Sequence, residues 1–188
     1  LVEGGFGRVR RDDSVLLVVD IQERLLPAVA GHEEVAAVAD RLVRAAGLLG
    51  VPVLCTEQYP RGLGPTVDPL RTSLGAAPIL EKMTFSCCGA EGLMERLASL
   101  GRRQVVLAGI ETHVCVMQTA LDLLASGYRP FVAADGVSSR FEVDRQTALD
   151  RLRQAGAVVT TSESVMFEWL ETAAAAEFKA VSRIVRER

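Results

Sequence analysis

The residues of this chain best suited to chemistry are Cys115, Asp20 and Lys82. Cys115 lies in Gly109-Ile110-Glu111-Thr112-His113-Val114-Cys115-Val116, between an apolar run, Gln104 to Ala108, and an apolar-periodic segment. Strand followed by helix puts the thiol at a helix N-terminus. Backbone N–H groups lack partners there and the helix dipole is positive, which favours a thiolate. A free thiol titrates near ~8.5 and is only slightly ionised at neutral pH. The placement predicts a pKa below that reference and makes Cys115 the candidate nucleophile. Asp20 follows another strand and can accept the thiol proton, then return it to a leaving group. Lys82 follows a third and can hold Asp20 ionised or stabilise the thiolate. Together the three predict a cysteine hydrolase. Taken singly, each has an ordinary structural use: a small buried hydrophobe, a turn or cap residue, and a solvated surface cation.

The remaining reactive residues are fewer. The two histidines are His32 and His113. His32 reads as a helix-start surface residue. His113 stands two positions before Cys115, and residues two apart on a helix start point in different directions. That spacing counts against His113 as the base and leaves it as a substrate contact or rim residue. Four cysteines occur, at positions 55, 87, 88 and 115. Cys55 falls in a buried-strand pattern and Cys87 and Cys88 are adjacent, so reduced thiols fit better than disulfides. Cys87 and Cys88 read as structural. No Cys-x-x-Cys pair suggests a zinc site. Asp135 and Arg140 read as a structural ion pair or interface contact, and Ser162 as a helix cap.

The elements that must position these groups repeat one pattern, in which an amphipathic helix ends at a glycine and a short apolar strand follows. Gly50, Gly101, Gly127 and Gly156 precede strands at 51–55, 104–108, 130–134 and 157–160. Glycine just past a helix can take the left-handed conformation that stops it. The first strand, Val15 to Val19, is apolar throughout, as expected of a parallel strand buried on both faces. A weaker strand, 78–81, precedes Lys82. Helices are predicted near 33–49, 90–99, 114–126, 142–155 and 174–186. Six strands alternating with helices predict right-handed crossovers and a mainly parallel sheet covered on both sides. One domain is expected over residues 13–188, with 1–12 as a loose lead-in. The Gly- and Pro-rich segment from Tyr59 to Ala77 lacks periodicity and reads as a long loop, either a substrate cover or a surface Ω-loop. Ligands of such sheets bind beyond the carboxyl ends of the strands. Asp20, Glu57, Lys82, Glu111 to Cys115, Asp135 and Ser162 should converge there.

The 188 residues suffice for a sizeable core, and 49% hydrophobic with 24% charged residues is ordinary globular composition. A net charge of −3 argues against a nucleic-acid surface. No apolar run reaches membrane-spanning length and no signal peptide is visible, so a cytoplasmic protein is expected.

The combined motifs resemble the isochorismatase-like cysteine hydrolase family. They are Val18-Val-Asp20-Ile-Gln22, Thr56-Glu-Gln-Tyr-Pro60, Lys82 with Phe85-Ser86, Gly109 to Val116, Asp135-Gly-Val-Ser-Ser-Arg140 and Thr161-Ser-Glu-Ser164. The likeness covers roughly residues 13–185. It is closest to the small isochorismatase-domain-containing proteins, on Thr56 to Gly64. The resemblance implies a Rossmann-like, three-layer α/β/α sandwich with a six-stranded, mainly parallel sheet. It also implies a catalytic triad of Asp20, Lys82 and Cys115, and a cis peptide at Ile110–Glu111. That peptide would turn the Glu111 N–H toward the Cys115 N–H to form an oxyanion hole. Gln22, Tyr59, Phe85 and His113 are the candidate substrate contacts.

Nicotinamidases of this superfamily carry an Asp and two His after the second strand and bind a metal. Here that stretch is Glu57-Gln-Tyr-Pro60, so no metal and no cofactor are expected. True isochorismatases lack the cysteine and act on a vinyl ether, so Cys115 favours hydrolysis of an amide or ureido C–N bond of a small molecule. Vinyl ether hydrolysis and a binding or assembly role with a vestigial pocket stay open as alternatives. The family also implies a homo-oligomer.

Overall fold

The structure, a computed structural model, describes residues 7–187. Six strands form one sheet: β1 (Ser14–Val19), β2 (Val53–Gln58), β3 (Ile79–Lys82), β4 (Gln104–Ile110), β5 (Arg129–Ser138) and β6 (Val158–Thr160). Their order is β3-β2-β1-β4-β5-β6, and every neighbouring pair is parallel. The chain starts at the centre, winds out to one edge, then returns past β1 to build the other half. The direction of winding reverses between β1 and β4, and a crevice opens at the carboxyl ends of strands at such a point.

Eight helices cover the sheet: α1 (His32–Leu49), α2 (Pro60–Leu63), α3 (Leu70–Leu74), α4 (Leu93–Leu100), α5 (Met117–Ala125), α6 (Glu142–Ala155), α7 (Ser162–Leu170) and α8 (Phe178–Val185). Successive strand residues point to opposite faces, and β1 shows what this does with an all-apolar strand. Leu16 and Val18 pack with Val38 and Leu42 of α1, Leu70 of α3, Trp169 of α7 and Val181 of α8. Val15, Leu17 and Val19 pack with Leu93 and Leu97 of α4, Leu123 of α5 and Leu149 of α6. Two apolar cores on one sheet make a three-layer α/β/α sandwich.

Several boundaries differ from the sequence reading. β5 runs on to Ser138 because its register against β4 shifts between Leu107 and Gly109. Asp135 therefore lies within a strand, not at its end. The segment from Tyr59 to Ala77 holds α2 and α3, and the Asp68–Pro69 peptide in it is cis. α8 begins at Phe178, four residues later than periodicity suggested. The lead-in is fixed from residue 8 onward: Gln104 of β4 accepts the Arg10 N–H at 2.6 Å and donates to the Arg8 carbonyl at 3.1 Å, and Val9 is buried. Residues 1–6 of that expectation lie outside the described residues.

β1 and β4 approach most tightly where they carry the site. Gly109 pairs with Val19 and has φ +126°, and a Cβ there would stand 2.1 Å from the Val19 carbonyl oxygen. Backbone cannot yield as a flexible side chain can. Gly109→Ala combines an unfavourable φ with overpacking, each costing about 1–3 kcal/mol. The variant should lose about 2–6 kcal/mol of stability in urea unfolding, and parent-like stability would contradict this close approach.

Candidate active site

Asp20 is the first residue after β1, and its φ of +53° ends the strand in the left-handed region. Asp is among the few non-glycine residues that tolerate that region. Lys82 is the last residue of β3, and its side chain is fully buried. Cys115 lies in a wide turn, Thr112–Val116, that runs directly into α5. Three segments distant in sequence thus deliver one polar cluster beneath the carboxyl edge of the sheet.

Lys82 is the hub of this cluster. Its Nζ stands 2.7 Å from Asp20 Oδ2 and 3.6 Å from Cys115 Sγ. It also donates to Gln58 Oε1 at 2.6 Å and to the carbonyls of Phe85 and Thr84 at 3.0 and 3.2 Å. Burial works against its charge, but the anionic surroundings, Asp20 foremost, outweigh burial and raise Lys82 above its ordinary value. An ammonium surrounded by acceptors is a fixed positive charge. Asp20 is wholly buried, and its two oxygens differ. Oδ1 accepts the Thr56 hydroxyl at 2.7 Å. Oδ2 faces the Lys82 ammonium as its ion-pair partner and takes no hydrogen bond from another group, so it keeps a lone pair open.

Cys115 departs from the expectation of a depressed pKa. Burial, then the charge of Asp20, push its thiol up to about 12 against the opposing pull of Lys82. The helix start does not reverse this, because only 5% of the residue is exposed and desolvation of the thiolate dominates. The resting group is the thiol, and the Asp20 carboxylate lies close enough to act on it electrostatically.

The other anticipated residues separate into two groups. Tyr59 and Phe85 are half exposed, and the Phe85 carbonyl accepts from Lys82. A cleft bordered by Tyr59, Arg61, Met83 and Glu91 adjoins Lys82 outside β3, but Asp20 and Cys115 do not line it. His113 is half-buried, with Nδ1 2.9 Å from Ser139 Oγ. Its partner is therefore on the far side from Lys82, at the end of β5. Glu111 follows a cis Ile110–Glu111 peptide, and its carboxylate accepts from Arg140 N and Nε, both at 3.1 Å.

Gln22 corrects the sequence reading. It was expected to touch substrate, yet it is fully buried and its amide is used up within the fold. Nε2 donates to the carbonyls of Gln58 and Gly64 at 2.9 and 2.7 Å, and Oε1 accepts the Gln58 N–H at 2.7 Å. Glu57 was expected at the site and instead accepts both the Thr66 N–H and hydroxyl at 2.7 Å. Gln22 and Glu57 hold down the segment after β2. Asp135 does not pair with Arg140. Its carboxylate receives the Ser162 N–H at 2.7 Å and hydroxyl at 2.6 Å. Ser162 is consequently not the cap of α7; Thr161 is, accepting from the Ser164 N–H.

Sequence reasoning overlooked Thr56, Gln58 and Thr119. Thr56 and Gln58 lie inside the quoted Thr56 to Pro60 motif, and the signal was available: a buried carboxylate and a buried ammonium each require further partners. Thr119 accepts the Cys87 N–H at 2.8 Å and donates to the Cys115 carbonyl at 2.6 Å. All four cysteines are free. Among the described residues no group of three or more His, Cys, Asp or Glu could hold a metal ion, and no helix is long and apolar enough to cross a membrane.

A winding reversal with Asp20, Lys82 and Cys115 buried beside it defines a Rossmann-like α/β protein with a polar cluster at its crevice. Comparison with known proteins places it further. Residues 14–164 match the isochorismatase domain. Isochorismatase domain-containing protein 2A of Mus musculus is 42% identical over 96% of this chain and 86% of its own length. The structure of MAR1 ribonuclease from Caenorhabditis elegans is 38% identical with a TM-score of 0.91, covering 95% of this chain and 92% of that one. The YcaC gene product from Escherichia coli, described as an octameric hydrolase of unknown specificity, is 27% identical with a TM-score of 0.85, covering 89% and 84%. The chain belongs to the isochorismatase family and is a hydrolase.

The buried thiols couple stability to pH. Cys55, Cys87 and Cys115 are each pushed up to about 12, chiefly by burial. Below about pH 8.5 both folded and unfolded chains keep these protons and the stability is whole. Above it the unfolded chain loses protons that the folded chain retains, so stability falls as pH rises toward the folded values. The slope is about 1.4 kcal/mol per pH unit for each thiol. Urea midpoints should drop steeply between about pH 8.5 and 10.5, and a flat profile over that range would refute the burial argument.

Proposed function

We propose that this hydrolase is a metal-independent cysteine amidohydrolase that cleaves an amide or ureido C–N bond of a small molecule. The observation that carries the reading is the buried Lys82 ammonium, 2.7 Å from the Asp20 carboxylate and 3.6 Å from the Cys115 sulfur. Asp20 Oδ2 takes the thiol proton as Cys115 Sγ attacks the substrate carbonyl carbon. A thiol protonated at rest needs such a base, and the open lone pair on Oδ2 supports Asp20 in that role. Lys82 offsets the negative charge as it moves from carboxylate to sulfur. The backbone N–H groups of Glu111 and Cys115 receive the oxyanion. Collapse of the tetrahedral intermediate breaks the C–N bond, and the proton on Asp20 leaves with the amine. Asp20 then takes a proton from water, whose oxygen attacks the thioacyl carbonyl. The acid is released, and the proton returns to the thiol. Tyr59, Phe85 and His113 are the substrate contacts in this reading, which their partial exposure supports. The engagement of Glu57 by Thr66 supports a mechanism without metal, since the loop that holds metal in nicotinamidases has its carboxylate committed.

A screen of small amides, ureido compounds and isochorismate tests the reaction class, with RNA included because one relative is described as a ribonuclease. Cys115→Ala should lower turnover of the amide or ureido substrate about 10³-fold or more. Full activity of that variant toward isochorismate would favour the vinyl ether reaction, and inertness of the parent with every compound would favour a binding role.

The chain also assembles as a homo-oligomer in this reading, which the octameric relative supports. Light scattering at micromolar concentration should give a multiple of the 20.2 kDa chain mass. A clean monomer would contradict it.

A further inference from the structure

We propose that Thr56 is a positioning residue whose buried hydroxyl decides which oxygen of Asp20 is free to take the Cys115 proton. This rests on the reading of Asp20 as the proton acceptor. Thr56 is wholly buried in β2, in register with Val19, the residue before Asp20. Its Oγ1 donates to Asp20 Oδ1 at 2.7 Å. An ionised carboxylate only accepts, and a hydroxyl has one proton to give, so that proton is committed.

A second neighbour fixes the hydroxyl. Cys87 Sγ lies 3.4 Å from the same Oγ1. With the Thr56 proton used, the sulfur must be the donor there. Burial, then the charge of Asp20, push the Cys87 thiol up to about 12, so it keeps the proton this role requires. The chain of donors therefore runs one way, from the Cys87 S–H to Thr56 and from Thr56 to Asp20. Cys87 is held in turn through Thr119, which accepts the Cys87 N–H and donates to the Cys115 carbonyl. The turn that orients Thr56 is thereby tied to the turn that carries the nucleophile.

The consequence is an asymmetric carboxylate. Oδ1 carries the Thr56 hydrogen bond, and Oδ2 stands beside Lys82 with no hydrogen bond drawn from another group. The ionisable groups facing Asp20 are Lys82, Cys87 and Cys115, with Cys55 further off along β2. Lys82 supplies charge to this arrangement, and Thr56 supplies direction.

The test needs no known substrate. Alkylation of Cys115 by iodoacetamide is followed by mass spectrometry between about pH 5 and 10, for the parent and for Asp20→Asn, Thr56→Val and Thr56→Ser, with circular dichroism reporting the fold. At neutral pH, Asp20→Asn should be alkylated about 10²-fold or more slowly than the parent. Thr56→Val, equal in shape but without a donor, should be slowed about three- to tenfold, the worth of one hydrogen bond. Thr56→Ser, which restores the donor, should return to the parent rate. A folded Thr56→Val with the parent rate overturns the proposal, as does Thr56→Ser behaving like Thr56→Val. If Thr56→Val does not fold, Thr56→Ala carries the same expectation, because its smaller side chain cannot clash. An Asp20→Asn variant that keeps the parent rate overturns the assignment of Asp20 itself, a failure distinct from that of Thr56.

Discussion

The ion pair between Asp20 and Lys82 is the constraint on which the site depends. Both side chains are fully buried, so neither charge is offset by water. Removing one partner from such a pair typically costs about 3–5 kcal/mol, because the other charge is left unpaired. The rest of the site supplies the remaining partners. Gln58 and two carbonyls after β3 take up the ammonium, and Thr56 takes up the second carboxylate oxygen. A pair held this firmly cannot rearrange to solvate a third charge cheaply. That is why Cys115 rests as a thiol although it lies beside a cation. Burial and the near carboxylate outweigh Lys82.

Anchoring extends outward from that pair into the segment after β2. Gln22 follows Asp20 by two residues, and its side chain pins Gln58 and Gly64, while Glu57 pins Thr66. These contacts make the Gly- and Pro-rich stretch part of the framework. They also place Tyr59 beside Lys82, through the Tyr59 N–H bond to the Lys82 carbonyl. The same short segments carry the buried ion pair and hold their neighbours in place, so the positions next to Asp20 and Lys82 are largely scaffold.

Much of the fold was legible because a strand buried on both faces must be apolar at every position. Val15 to Val19 and Val105 to Ala108 satisfy that rule, and both lie in central strands. Asp20, Lys82 and Cys115 could be singled out because a polar residue just past such a strand stands at the crevice. Features that depend on partners could not be read from the chain. Gln22 belongs to the same motif as Asp20, and nothing in its spacing shows that its amide is spent on the backbone. The register shift between β4 and β5 carries Asp135 into a strand, where it meets Ser162 and leaves Arg140 to Glu111. The Cys115 thiol was misjudged for a related reason: the helix start is visible in sequence, whereas the depth of burial and the nearness of Asp20 are not.

The four free cysteines give the folded chain a chemical history unlike that of its newly made form. Off the ribosome each sulfur is an ordinary thiol, open to oxidants. Folding encloses Cys55, Cys87 and nearly all of Cys115, while Cys88 keeps part of its surface. The folded chain therefore shows an oxidant far less sulfur than its unfolded form does.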